Sequence, residues 1–324
     1  MMRELLERRN MTFEEAAGFF NELSTQSDIR KSALLTALQA KGVTGTELAG
    51  MAHAMRGAAK AVDIPGAADT CGTGGDGSSS INVSTAGALL LSCFTTVAKH
   101  GNGSVTSRSG SSTVMQELGI GMPQTPEDAE RGAKLCNFAY LHAPLYHPAM
   151  EGIMPVRREL GFPTVFNILG PLANPAKPET QLVGISNPHL VVPVAEALSE
   201  LGARRAIVVH GGGLDEVHPG SRTQCALVEG SDLFAFDVYP SDFGVPPGRV
   251  LPCNSAKESA ERIMQALAGR GNPDDTTFIV LNAAMALFAT GYGDLPECKD
   301  AITDILGEEA LAQVEAIRDA YATL

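Results

Sequence analysis

The chain has 324 residues, 44% of them hydrophobic and 19% charged, a balance that suits one large or two smaller packed domains and argues against disorder. Its 24 basic and 37 acidic residues leave a net charge of −13, which disfavours non-specific nucleic-acid binding but leaves room for one small anion in a locally basic pocket. Cys71, Cys93, Cys136, Cys225, Cys253 and Cys298 are spread without a CxxC pair, so no zinc or redox motif is present and reduced core thiols are expected. The N-terminus has mixed charge and no apolar signal core, and no apolar run reaches the roughly 18 residues of a membrane span, so a soluble, cytoplasmic protein is expected.

Residues 1–62 read as helices only. Thr12 and Glu15 form a capping-box pattern ahead of an apolar stripe at helical spacing. A second helix is predicted over 29–39, closed by Lys41 and Gly42, and a third after Thr44, ending before Pro65. His53, Met51 and Met55 fall in that third helix and are expected to pack or face solvent.

From residue 67 short apolar runs alternate with helical stretches. Strands are predicted at 67–71, 96–98, 138–142, 181–185, 205–210, 224–228 and 233–237. Helices are predicted at 84–93, 111–118, 126–135, 148–160, 190–201, 256–267, 278–289 and 308–321. This alternation specifies an α/β fold with a largely parallel central sheet flanked by helices, and the strands near 224–237 could add an antiparallel hairpin. The Pro/Gly-rich stretches 170–180 and 240–255 read as surface crossings or hinges.

Two glycine- and serine-dense loops stand out within residues 69–113. In the first, Gly72, Gly74, Gly75 and Gly77 surround Asp76, and glycines let backbone amides approach an anion closely. The stretch formally matches GxGxxG, but no acidic residue follows about 20 positions on, where the chain has Lys99 and His100. No Gly-Lys-Ser/Thr of a Walker loop is present either, so both nucleotide readings fail. The run Asn82-Val83-Ser84-Thr85 sits where a helix should open, with Ser84 or Thr85 as cap, which makes an anion site at the helix terminus. The second loop carries Lys99, His100, Asn102 and Arg108 with several serines, the residues that pair with phosphate. These features point to a polyphosphorylated sugar. Asp215-Glu216 follows an apolar run and three glycines, just beyond a strand's carboxyl end where α/β sheets bind ligands, although an exposed Asp-Glu pair without further context is more often a solvated turn.

GTGGDG followed by NVST, then KHGN and SGSS, resembles the signature of the anthranilate phosphoribosyltransferase family. HAPLYHPAME, VRRELGFPTVFNILGPLANP and VVHGGGLDEV extend the resemblance over nearly the whole chain. It implies a fold of the nucleoside phosphorylase/phosphoribosyltransferase class. A smaller all-helical domain, residues 1–64 completed by about 156–178, would stand beside an α/β domain of residues 65–155 and 179–324. It implies that Gly72, Gly75, Asp76, Asn82, Ser84, Thr85, Lys99 and Ser111 hold phosphoribosyl pyrophosphate, and that Ser80, Val83, Gly101 and Ser107 also bind substrate. Mg²⁺ would be held by Ser84, Asp215 and Glu216. Asn102 and Arg157 would meet the anthranilate carboxylate, with His100 and His147 near the aromatic ring and His100 as proton acceptor. The implied reaction is phosphoribosyl transfer to anthranilate in tryptophan biosynthesis, by a homodimer joined through its helical domain.

The chain departs from the family pattern at Gly103, where an arginine is usual, at Thr113, often an aspartate, and at Met150, sometimes an aromatic. A related transferase with a different aromatic acceptor, a pyrimidine nucleoside phosphorylase and a non-catalytic nucleic-acid-binding relative are the alternatives. The last would have lost the glycine loop and gained basic surface, and the chain has done neither.

Overall fold

The structure is a computed structural model that describes residues 2–103 and 110–324. Ser107 and Arg108 therefore lie outside the described residues. In chain order the elements begin with α1 (Met2–Leu6), α2 (Phe13–Leu23), α3 (Asp28–Lys41) and α4 (Gly45–Gly57). Next come β1 (Ala68–Gly72), α5 (Val83–Leu91), β2 (Val97–Gly101), α6 (Ser111–Glu117), α7 (Pro126–Cys136) and β3 (Phe138–His142). They are followed by α8 (Ala143–Tyr146), α9 (Met154–Leu160), α10 (Phe166–Leu172), β4 (Thr180–Gly184), α11 (Val191–Glu200) and β5 (Arg205–His210). The chain closes with β6 (Thr223–Glu229), β7 (Asp232–Val238), α12 (Ala256–Leu267), α13 (Pro273–Thr290), α14 (Leu295–Asp304) and α15 (Glu308–Ala322).

The N-terminal helices start where their caps dictate. Thr12 and Thr44 each accept the amide three residues on, while Glu15 and Glu47 reach back, completing two capping boxes. Glu47 is fully buried and also accepts the Met11 amide and the Lys41 ammonium, so one carboxylate joins the ends of three segments. Helices α9 and α10, far along the chain, pack on α3 and α4.

All seven strands form one sheet in the order β3-β2-β1-β4-β5-β6-β7. The first five in that order run parallel, and β6 and β7 close the edge as an antiparallel hairpin. Strand side chains alternate between two cores, as a pleated sheet covered on both faces requires. Leu182, Ile207 and Val209 face the core built with α5, α12 and α13, whereas Val183, Ala206 and Val208 face the core shared with α4 and α11. Helix α13 lies in the first of these cores, and no single helix among the described residues is long and apolar enough to cross a membrane.

Several boundaries differ from the sequence reading. The predicted helix 148–160 is broken: a single turn, Pro148–Met150, precedes α9, because prolines at 148 and 155 each suit a first helical turn and not its interior. Helices α8, α10 and α14 went unread. The stretch expected to cross the surface at 170–180 is buried at Leu172, Ala173 and Asn174, and α10 contains Pro171.

Candidate active site

The strand order reverses direction between β1 and β4, and the carboxyl ends beside such a switch are where α/β sheets leave a ligand crevice. A cavity of about 1060 Å³ opens there, lined by both glycine-rich loops, Asp215, Glu216, α9 and α10. It is large enough for two small substrates.

The first loop needs its glycines. Gly74, Gly75 and Gly77 all have φ between 65° and 77°, the left-handed region that side chains resist. Gly74 donates its amide to Asp215 Oδ2 at 2.6 Å, and Ser78 donates to Asp76 Oδ1 at 3.1 Å. Among the described residues the amides of Gly75 and Gly77 take no partner, which leaves donors for an anion. Helix α5 opens at Val83, one position earlier than expected, with Asn82 as its N-cap residue, two or three positions before the expected cap. Neither Ser84 nor Thr85 caps it. Thr85 is fully buried and bonded through its hydroxyl to Asn82 Oδ1, while Ser84 lines the cavity.

Lys99, the third residue of β2, is 1% exposed. Its ammonium donates to Thr70 O at 2.7 Å and to Ser84 Oγ at 3.3 Å. Burial lowers its pKa, and the charge of Asp69 opposes that shift. Asp69 is buried behind it, accepting from Asn174 Nδ2 at 2.9 Å and from the His100 amide at 3.3 Å.

His100 does not fit the role of proton acceptor. Its Nδ1 donates to Gly170 O at 3.2 Å, and its Nε2 lies 3.2 Å from His147 Nε2. Burial, followed by the neighbouring His147, pushes its pKa down to about 3, and burial pushes His147 down to about 4. Both imidazoles are neutral near pH 7 and hold each other in place.

Asp215 and Glu216 form an acidic corner with Asp76. Burial, then the charge of Asp76, raises the Asp215 carboxyl to about 7; burial and both aspartates raise Glu216. Glu216 Oε2 is buried without any partner. No three His, Cys, Asp or Glu side chains among the described residues converge as a ready metal cage. Two hard carboxylates and an orphaned oxygen instead suit Mg²⁺ whose remaining ligands come from phosphate and water.

In the same cavity Arg157 is a cation without a carboxylate partner among the described residues. Its guanidinium lies 5.5 Å from the Phe166 ring centroid and donates to Asn167 Oδ1 at 3.2 Å. Met150 and Met154 add apolar wall. Gly103 lines the same cavity, and among the described residues an added β-carbon would meet only Ser112 Oγ, at 3.4 Å.

The cavity thus gathers Gly72, Gly75, Asp76, Ser80, Asn82, Ser84, Lys99, His100, Gly101, Asn102, Ser111, His147, Arg157, Asp215 and Glu216. Val83 and Thr85 are not among its lining; both are fully buried in the core side of α5. The sequence reading missed Thr73, Phe166 and Asn167, which also line the cavity. Phe166 and Asn167 sat within the quoted stretch VRRELGFPTVFNILGPLANP, where an aromatic and an amide nine and ten residues past Arg157 were the available signal.

Such a fold and site belong to enzymes that move a glycosyl group between an anionic leaving group and an acceptor. Residues 65–310 match the glycosyl transferase family a/b domain, and residues 1–59 match that family's helical bundle domain. A curated anthranilate phosphoribosyltransferase of Pyrococcus abyssi is 52% identical over 98% of both chains. One from Methanococcus maripaludis strain C7 is 50% identical over 90% of both. The crystal structure of the Thermus thermophilus anthranilate phosphoribosyltransferase superposes with a TM-score of 0.92 over 99% of both chains at 33% identity. The Saccharomyces cerevisiae enzyme in complex with PRPP and Mg gives 0.84 at 26% identity, over 96% of this chain and 92% of that one. The chain belongs to the glycosyl transferase family defined by these two domains and, within it, to the anthranilate phosphoribosyltransferases.

Proposed function

We propose that the protein transfers the phosphoribosyl group of phosphoribosyl pyrophosphate to the amine of anthranilate, releasing pyrophosphate, as a step of tryptophan biosynthesis. The observation that carries the reading is one cavity with three chemically distinct parts. Free loop amides and Lys99 suit a polyphosphate, the acidic corner suits a divalent cation, and the unpaired Arg157 beside Phe166 suits an aromatic carboxylate.

The bond from carbon 1 of the sugar to the pyrophosphate oxygen breaks and its electron pair leaves with the pyrophosphate. The aniline nitrogen forms the new bond to carbon 1 and then loses a proton. Charge grows on the departing group, where Lys99 and the amides of the first loop stand ready without reorganising. Mg²⁺, held by Asp215, Glu216 and Ser84 with the diphosphate oxygens, would supply further neutralisation there. Arg157 orients the acceptor, and since a neutral amine attacks, orientation supplies much of the rate. His100 and His147 act as a neutral wall. The proton of the arylammonium, a strong acid once formed, goes to water or a diphosphate oxygen.

We place the closing unit at residues 1–64 with 156–178, moving against the α/β part to exclude water from the hydrolysable donor. We place the contact of a homodimer on the helical face where Leu6 is 70% and Ile29 84% exposed.

Incubating the pure protein with phosphoribosyl pyrophosphate, Mg²⁺ and anthranilate should extinguish anthranilate fluorescence with release of one pyrophosphate per acceptor consumed. Stable fluorescence would sink the assignment, and phosphorolysis of thymidine or uridine would replace it with a nucleoside phosphorylase. Sedimentation should give twice the chain mass of 33.9 kDa.

A further inference from the structure

Ser111 was expected to meet phosphate, yet its hydroxyl is engaged elsewhere. Its Oγ lies 3.1 Å from Asn102 O and 2.8 Å from Tyr140 Oη. A carbonyl oxygen only accepts, so the single Ser111 proton goes to Asn102, and Tyr140 must be the donor to Ser111. The result is a directed relay, Tyr140 to Ser111 to Asn102, joining two chain positions nine residues apart. The Ser112 amide adds a second bond to Asn102 O at 3.4 Å.

Tyr140 is a fixed origin for such a relay. It is fully buried in β3, opposite Lys99 of β2 in the ladder, and stacks on His142 with the rings 22° apart. Burial raises its phenol, so it keeps the proton it donates. A β-carbon at Gly101 would overlap Ser111 Oγ and meet Tyr140 Oη at 2.6 Å, so the relay depends on a residue without a side chain there. At the other end Asn102 Oδ1 accepts the Gly103 amide at 2.7 Å, which fixes the orientation of the side-chain amide. Its Nδ2 has no partner among the described residues, and Asn102 lines the cavity.

We propose that Tyr140 is a positioning residue of the acceptor end of the site: through Ser111 it fixes Asn102, and so the amide donor that Asn102 presents to the acceptor. This rests on the phosphoribosyltransferase reading. Tyr140 touches no substrate. Its hydroxyl acts two hydrogen bonds away.

The test uses Tyr140→Phe, which removes only the hydroxyl and keeps the ring in the core, together with Ser111→Ala and the double variant. Each single change should raise the anthranilate KM about 5- to 10-fold while the KM for phosphoribosyl pyrophosphate stays within about twofold. The double variant should be no worse than either single one, because both break the same relay. Equal rises in both KM values, additive effects, or an unchanged anthranilate KM would each overturn the proposal. Hydrogen exchange gives a readout independent of turnover: the Gly103 and Ser112 amides should exchange faster in both variants, and unchanged protection would also overturn it. Wild-type protein that transfers nothing to anthranilate would defeat the functional reading, while the exchange experiment would still decide the relay. If Tyr140→Phe does not fold, Ser111→Ala carries both measurements.

Discussion

Gly72 and Gly184 are register partners, the last residues of β1 and β4, and Asp215 lies across both. A β-carbon on Gly184 would overlap the backbone carbonyl of Asp215, and one on Gly72 would overlap its carboxylate. The sheet therefore ends in two bare positions at its switch point, and the acidic pair fills the space they leave. Gly184→Ala forces a backbone to move, so it should cost about 1–3 kcal/mol of stability and abolish most Mg²⁺-dependent turnover. Gly72→Ala overlaps the Asp215 carboxylate and meets the backbone carbonyl only at 3.2 Å, so its stability loss should be smaller. Chemical denaturation of both variants, with turnover at saturating Mg²⁺, checks the order, and equal effects would contradict the packing argument.

Replacing Asp215 with Asn and Glu216 with Gln should remove Mg²⁺-dependent activity and leave the fold intact. The raised carboxyl at 215 has a second consequence. A group whose folded pKa lies at about 7 stabilises the fold fully below its unfolded value of ~3.9, and that contribution is lost as pH rises through 7. Metal-free wild type should therefore lose Tm relative to Asp215→Asn between about pH 4 and 7. Thermal unfolding of the two proteins across that range measures it. Parallel curves would mean that Asp215 is ionised without penalty.

For His100 the sign is opposite. Its folded pKa of about 3 lies below the unfolded value of ~6.5, so its contribution to stability is present above ~6.5 and is lost as pH falls through 3. In catalysis it should be silent: kcat against pH should show no limb from an imidazole near pH 6–7. His100→Gln should keep the shape of that profile. A limb in wild type that vanishes in His100→Gln would restore the proton-acceptor role.

Arg157→Gln should raise the anthranilate KM roughly 10- to 100-fold, the loss of a charge-assisted pair of about 1.5–3 kcal/mol, without changing the KM for phosphoribosyl pyrophosphate. Lysine should rescue little, because it lacks the planar fork. Aniline, which has no carboxylate, should be used equally poorly by wild type and variant. A selective loss with aniline as well would show that Arg157 serves the fold and not the acceptor.

Much of this protein was legible in one dimension because its signals are local. Alternating apolar runs, the Thr12 capping box and the Gly42 stop depend on neighbours within a few residues, and so do the turns that Gly74, Gly75 and Gly77 permit. Lys99, Asp215 and Arg157 could be placed by chemistry and family pattern, and the cavity does bring them together. What the chain order could not convey was partnership across distance. The serine expected to face phosphate is held by Tyr140, the histidine expected to take a proton is buried against His147, and the cap expected at Ser84 or Thr85 falls at Asn82. Hydrogen-bond capacity is finite and burial sets protonation, so a side chain's role depends on which groups have already claimed its atoms. Those claims arise only when β1, β2, β3 and β4 lie side by side. The residue types and turns came from sequence; the directions of the protons and the bare glycine floor under Asp215 came from the fold.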